Sequence, residues 1–134
     1  MTKISMNSIP RVYANAGQHA EQVARFTLTG KIEKADNKPF TAGGDCGDLQ
    51  IKSARATICK GADLGKHLEQ DGANRYGYVV ADFSLMYVME IAEYIEFVNR
   101  FGTVTKESKK NGGNEKIRLK HETQEMREWL EARA

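Results

Sequence analysis

Two apolar segments in the second half of the chain place the strongest constraint on its fold. Residues 76–81 and 85–89 are almost continuously apolar, and the polar turn residues Asp82 and Ser84 lie between them. Apolar runs of this length that end at turn residues are typical of buried β-strands. The sequence therefore predicts two buried strands joined by a short turn.

Helical spacing of apolar residues is clearest over residues 92–101, and Gly102 follows as a stop signal. A first helix is expected over residues 15–25, with Asn15 as its N-cap. A helix near the C-terminus should turn three apolar side chains inward: Met126, Trp129 and Leu130. Each of these helices therefore has an apolar face that can pack on a core.

Weaker patterns complete the outline. Residues 26–33 alternate apolar and polar side chains, which predicts a half-buried strand, and residues 116–120 predict another. Asp63 can cap a short helix over residues 64–71. The order of helices and strands predicts a small α/β or α+β sandwich, and a length of 134 residues fits one domain, 1–134.

The composition is that of an ordinary globular protein, with 40% hydrophobic and 28% charged residues. No apolar run has the length expected of a signal peptide or of a bilayer-spanning helix. Cys46 and Cys59 do not make a disulfide framework. The simplest expected compartment is therefore a reducing cytoplasm.

Positive charge is concentrated in two segments of the chain, although the formal net charge is only +2. The basic residues of these segments are Lys52, Arg55, Lys60 and Lys66, then Lys106, Lys109, Lys110, Lys116, Arg118 and Lys120. Two basic segments on a nearly neutral chain suit a protein that meets a polyanion on one side. The alternative is that these lysines are solvated in loops.

A glycine-rich stretch at residues 43–47 leads into a strand with an unusual polar face. Three polar residues alternate along this strand: Asp48, Gln50 and Lys52. Alternate side chains of a strand share one face, so Leu49 and Ile51 should point the other way, into a core. An acid, an amide and an amine side by side indicate a place where a metal ion and a phosphate can meet.

The apolar pattern of this strand then changes phase. Leu49 and Ile51 occupy odd positions, whereas Ala54, Ala56 and Ile58 occupy even ones. A shift of one residue exchanges the two faces of a strand, so a bulge or bend is expected near residues 52–53.

The early helix bearing Glu21, the aspartate-containing strand and the tripeptide Gln50-Ile51-Lys52 together resemble the PD-(D/E)xK nuclease superfamily. That superfamily includes restriction endonucleases and Holliday-junction resolvases, and in some branches glutamine replaces the second acid. The resemblance covers residues 15–100. It implies a restriction-endonuclease-like mixed central sheet flanked by helices, with a small C-terminal strand-helix elaboration. It also implies Mg²⁺ dependence, with Mn²⁺ as a substitute, and phosphodiester hydrolysis.

The resemblance assigns roles to individual residues. Asp48 and the side-chain oxygen of Gln50 would bind Mg²⁺, Lys52 would orient the attacking water, and Glu21 would act in an outer-sphere or second-metal role. The family usually places its metal aspartate farther from the lysine than Asp48 lies. Asp45 and Asp36 therefore stay open as alternatives for the metal ligand.

Six side chains are candidates for contacts with DNA phosphates: Ser53, Arg55, Lys60, Lys109, Lys110 and Lys116. A zinc site built from Cys46, Cys59, His67 and His121 is disfavoured, because no short Cys/His spacing supports it.

The expected function is a Mg²⁺-dependent DNA endonuclease, and a homodimer is needed if it cuts both strands. The alternative is a non-catalytic DNA-binding or interaction module on a degenerate nuclease fold.

Overall fold

A computed structural model describes residues 1–10, 16–30, 49–53, 57–59, 75–106, 109–111, 115–119 and 121–134. Its elements, in chain order, are β1 (Thr2–Ser5), α1 (Ala16–Thr29), β2 (Leu49–Ser53), β3 (Thr57–Cys59), β4 (Arg75–Val79), β5 (Leu85–Glu90), α2 (Ile91–Phe101), β6 (Thr103–Lys106), a short 3-10 helix (Lys109–Asn111), β7 (Glu115–Arg118) and α3 (Gln124–Arg133). Helices and two sheets combine in one structure, which confirms the α+β class.

The larger sheet has four strands in the order β1-β5-β4-β2. β1 and β4 each pair antiparallel with β5, whereas β2 pairs parallel with β4, so the sheet is mixed. The two predicted buried strands are its central pair. Gly77 of β4 lies close to the Met86 and Ile51 side chains, and a Cβ atom there would lie 2.6 Å from the Met86 sulfur, so the Met86 side chain would have to move.

Both faces of this sheet are covered. One face carries Tyr76, Tyr78 and Tyr87 into a core that α2 and α3 complete. The opposite face carries Ile51 and Val79 into a second core, completed by α1. Alternation along the strands therefore divides the apolar residues between two layers of helices.

The helix α1 is longer than the expected residues 15–25, and the strand expected from residue 26 is wrong over residues 26–29. The Thr27 hydroxyl donates to the Val23 carbonyl at 2.8 Å, and the Thr29 hydroxyl donates to the Arg25 carbonyl at 2.7 Å. These bonds to the preceding turn accommodate threonine in a helix, although its sequence pattern resembles a strand. Residues 31–33 lie outside the described part of the chain.

The second sheet has three strands in the order β3-β7-β6, and both pairings are antiparallel. Its inner face packs on the larger core through Ile117, which is buried. Gly102 immediately precedes β6, and a Cβ atom at residue 102 would collide with the Ile117 side chain. Residues 103–106, for which the sequence pattern predicts no strand, form β6.

The phase change after Ile51 coincides with a change of sheet. β2 keeps an uninterrupted parallel register with β4 as far as Ser53, which excludes a bulge within β2. The next described strand, β3, belongs to the second sheet. Residues 54–56 and the helix expected over residues 64–71 lie outside the described residues.

The C-terminal strand and helix are an integral part of the fold. Their buried side chains join the larger core: Ile117, Leu119, Met126, Trp129 and Leu130. The main core therefore depends on residues beyond the segment 15–100 that carries the family resemblance. None of the described helices has the length and apolar character needed to cross a bilayer.

Candidate functional site

The polar strand recognised in the sequence is β2, which forms one edge of the four-stranded sheet. Leu49 and Ile51 are buried, as expected, in the core beneath α1. Gln50 and Lys52 are half-buried and alternate with them. The predicted division of this strand into an apolar and a polar face is therefore confirmed over residues 49–52.

The polar face of β2 continues the tyrosine face of the sheet. Gln50 lies in register with Tyr76, and Lys52 lies in register with Tyr78. Both tyrosines are fully buried, so the half-buried Gln50 and Lys52 border the aromatic core at its rim. Their α-carbons are about 7 Å apart, because a strand rises 3.3 Å per residue. An amide oxygen and an ammonium group at this spacing can engage a hard cation and a neighbouring phosphate.

Glu21 lies on the other side of the sheet. It is a half-exposed residue of α1, and α1 packs through Ala20 and Ala24 against Leu49 and Ile51. The sheet therefore separates the helix that carries Glu21 from the face that carries Gln50 and Lys52.

Several predicted site residues lie outside the described parts of the chain: Asp36, Asp45, Asp48, Arg55 and Lys60. Within the described ranges, no three histidine, cysteine, aspartate or glutamate side chains are grouped so that they could hold a metal ion. Because the candidate metal aspartates fall outside those ranges, the metal site stays a prediction.

The remaining candidates for DNA contact are spread over the two sheets. Ser53 is half-buried at the end of β2. Lys109 and Lys110 are exposed in the short 3-10 helix between β6 and β7, and Lys116 is a residue of β7. Ser53 thus belongs to the edge of the first sheet, whereas the three lysines belong to the second sheet and its connection.

A second polar cluster, which the sequence did not indicate, joins the four-stranded sheet to the C-terminal segment. The Tyr78 hydroxyl donates to Glu122 Oε1 at 2.8 Å, and the Ala81 N–H donates to the same oxygen at 3.3 Å. Arg127 Nη1 lies 3.5 Å from Glu122 Oε2. The Glu122 carboxylate thereby accepts two hydrogen bonds from the β4 segment and forms an ion pair with Arg127 of α3.

The neighbouring strand repeats this arrangement. Tyr87, the cross-strand partner of Tyr78, donates its hydroxyl to Glu131, which also pairs with Lys3 Nζ at 3.0 Å. An open depression of about 350 Å³ lies alongside, lined by Gln124, Arg127, Glu128 and Glu131. Both carboxylates of the cluster are engaged by donors from the sheet, so the cluster ties the C-terminal segment to β4 and β5.

The tyrosine pKa values follow from this burial. Burial raises the pKa of Tyr78, and its hydrogen bond to the Glu122 carboxylate raises it further. Burial also raises the pKa of Tyr87, as does its bond to Glu131. The hydrogen bonds from Tyr87 and Lys3 in turn lower the pKa of Glu131. At neutral pH Tyr78 and Tyr87 are therefore neutral and Glu131 is ionised.

The structure is an α+β fold in which the half-buried polar edge of β2 lies beside a tyrosine-rich core. Comparisons of the chain with protein-family models, with curated proteins and with solved structures found no match. Any functional assignment therefore rests on the residues themselves.

Proposed function

We propose that the chain is a Mg²⁺-dependent endodeoxyribonuclease of the PD-(D/E)xK kind. The observation that carries this proposal is the polar face of β2. Gln50 and Lys52 stand together on a half-exposed edge, and the buried Leu49 and Ile51 hold that edge to the core. A rigid strand is a suitable support for groups whose spacing must match a metal ion and a phosphate.

The donor set fits a hard cation. The Gln50 side chain offers an amide oxygen, and the preceding segment offers the carboxylates of Asp45 and Asp48. Oxygen ligands of this type, one or two of them carboxylates, are what Mg²⁺ prefers in proteins. When bound, the ion would supply an activated water at neutral pH and a contact to a phosphate oxygen. Lys52 would orient the attacking water and stabilise the negative charge that develops on the phosphate.

The position of β2 suits a long polymeric substrate. An edge strand lies at the border of the sheet, where DNA can approach without entering a cavity. Ser53 follows Lys52 on the same strand, and alternation turns it to the opposite face, so its predicted phosphate contact would lie on the other side of this edge. One site per chain cuts one strand, so cleavage of both strands requires a homodimer. A reducing cytoplasm is the expected setting, as the sparse cysteines suggest.

Cleavage of supercoiled plasmid tests this proposal. The wild-type chain is incubated with plasmid in Mg²⁺, in Mn²⁺ and in EDTA, beside Lys52→Ala and the matched control Lys3→Ala. Lys3 lies on β1, at the opposite edge of the same sheet, so its replacement makes the same change of charge. We expect metal-dependent nicked or linear product, slowed about 10²- to 10³-fold by Lys52→Ala and little by Lys3→Ala.

Three further variants, Asp36→Asn, Asp45→Asn and Asp48→Asn, identify the metal ligand. Cleavage should be lost in the variant that removes the charge of the Mg²⁺-binding aspartate, whereas the other variants should retain most of the cleavage activity. Absence of product from every DNA form, with salt-dependent DNA binding preserved, would instead support the non-catalytic DNA-binding module.

A further inference from the structure

The three-stranded sheet has two unlike faces. Ile117 of β7 is buried against α2, whereas its neighbour Arg118 is exposed. All four residues of β6 are exposed, Thr103 and Thr105 among them. Strand alternation places Arg118 opposite the face of Ile117, and the antiparallel register pairs Arg118 with Thr103.

The register defines six positions on this second face. They form two rows across the sheet: Thr57, Arg118 and Thr103, then Cys59, Lys116 and Thr105. We call these six positions the outer face. By residue type, these positions include two basic and three hydroxyl residues and no acidic or aromatic one, and the described exposed side chains among them are Arg118, Thr103 and Thr105. The exposed Lys109 and Lys110 lie in the connection between β6 and β7.

We propose that the outer face binds the phosphate backbone of duplex DNA. Lysine, arginine and threonine side chains are common ligands of DNA phosphates. Positions 116 and 118 are about 7 Å apart along β7, close to the rise of two phosphates along one DNA strand. The inference rests on the proposed function in taking DNA as the partner, but the binding itself requires no hydrolysis.

The composition of the outer face favours a duplex over a single strand. Proteins that hold single-stranded nucleic acid stack its bases on aromatic side chains, and the outer face has none. A face with cations and hydroxyls and no acid instead complements the regular array of phosphates on duplex DNA. Such a face does not need to reach the base edges. We therefore expect binding with little sequence preference and a strong dependence on salt.

The test is fluorescence anisotropy of a labelled duplex of about 20 base pairs, in EDTA so that no cleavage occurs. Arg118→Ala should weaken binding roughly eightfold at about 0.1 M salt and reduce the log-log salt slope by about 0.9, the effect of one lost phosphate contact. Thr103→Glu should weaken it further, because it adds a negative charge in register with Arg118.

Two matched controls separate this face from general charge effects. Arg100→Ala removes an exposed arginine from α2, on the inner side of the sheet, and Thr2→Glu adds the same charge to an exposed threonine of β1. Both should bind within twofold of wild type. Thermal unfolding of each variant identifies any loss of folded protein, and Arg118→Ala keeps the test decisive if Thr103→Glu unfolds.

The outcomes distinguish this inference from the proposed function. Loss of duplex binding in the outer-face variants supports the inference even if the wild-type chain never cleaves DNA. Wild-type affinity in both Arg118→Ala and Thr103→Glu would overturn it, even if Mg²⁺-dependent cleavage is observed. Binding of a labelled poly-glutamate peptide as tightly as the duplex, with the same dependence on Arg118, would also overturn it, because the partner would then be an acidic protein.

Discussion

The two sheets of this protein differ in how consecutive residues along a strand are buried. In the four-stranded sheet, the consecutive residues Tyr78 and Val79 are both fully buried, one on each face. In the three-stranded sheet, Ile117 is buried while the next residue, Arg118, is exposed. A sheet covered on both faces contributes mainly to stability, whereas a sheet covered on one face leaves its other surface for solvent or a partner.

Aromatic packing makes the two sheets differ in their contribution to stability as well as in their burial. Tyr76 and Tyr94 stack with their ring centroids 4.4 Å apart. Phe97 contacts both Tyr78 and Trp129, at centroid distances of 5.2 and 5.6 Å. The unfolding free energy should therefore depend far more on the four-stranded sheet and its helices than on the three-stranded sheet.

The largest expected difference between the two regions is the loss of unfolding free energy when one apolar residue in each is replaced by alanine. Phe97→Ala should lower the unfolding free energy by about 3–5 kcal/mol, because it empties the centre of the aromatic core. Val104→Ala on β6 should change it by less than about 0.5 kcal/mol, since Val104 is 49% exposed. Urea denaturation measures both, and equal losses would contradict the contrast.

High pH should act on the tyrosine core next. Burial, as the leading cause, raises the pKa of Tyr78 and of Tyr94 in the folded chain. A raised pKa stabilises the folded state fully below the unfolded value of about 10, and this stability is lost as the pH rises towards the folded value. Above pH of about 10 the unfolding free energy should fall by about 1.4 kcal/mol per pH unit for each of the two residues.

Phenolate absorbance followed together with circular dichroism checks this expectation. Tyr78 and Tyr94, two of the five tyrosines in the chain, should ionise only as the fold is lost. Ionisation of all five tyrosines at their ordinary pKa, with the circular dichroism unchanged, would show that these rings are accessible to water.

The helices and the central hairpin were predictable because their signals are local. The apolar spacing over residues 92–101 and the polar break at Asp82 identify α2 and the β4–β5 connection without knowledge of the rest of the chain. The prediction failed at residues 26–29, where alternation resembles a strand but the Thr27 and Thr29 hydroxyls bond to the helix backbone. Local pattern cannot reveal that choice, because both structures satisfy it.

Features that need distant partners were missed. β1 is a strand through its pairing with β5, and the register joins Lys3 to Tyr87. The bond between Tyr78 and Glu122 joins residues 44 positions apart. Of the candidate site, the burial of Leu49 and Ile51 and the shared face of Gln50 and Lys52 followed from alternation alone.

Removal of the N-cap of α3 should have a smaller effect on the unfolding free energy. It extends the comparison to the C-terminal helix. The Thr123 hydroxyl accepts a hydrogen bond from the Met126 N–H at 3.2 Å. Thr123→Ala should lower the unfolding free energy by about 1 kcal/mol, because α3 buries Trp129 and Leu130 in the larger core. Thr103→Ala, a threonine of the three-stranded sheet, should cost less than about 0.5 kcal/mol. A larger loss for Thr103→Ala in urea denaturation would reverse the contrast.

The smallest effect is expected at low pH. The hydrogen bonds from Tyr87 and Lys3 lower the pKa of Glu131, so its contribution is present above the unfolded pKa and is lost as the pH falls through the folded pKa. Glu131→Gln should therefore flatten the acid limb of the stability curve, whereas Glu128→Gln on the same helix should leave it steep. The dependence of the urea midpoint on pH measures the two slopes, and identical acid limbs would show that the Tyr87–Glu131–Lys3 contacts add nothing.

The most direct test of the central claim is single-turnover plasmid cleavage in Mg²⁺ with protein in saturating excess. In our proposal, hydrolysis takes place at the edge of the four-stranded sheet and DNA binds to the outer face of the three-stranded sheet. Under these conditions Lys52→Ala should give almost no product, while Arg118→Ala and Lys3→Ala should cut nearly as fast as wild type. Wild-type speed in Lys52→Ala, or no product from the wild-type chain itself, would contradict the assignment of hydrolysis to β2.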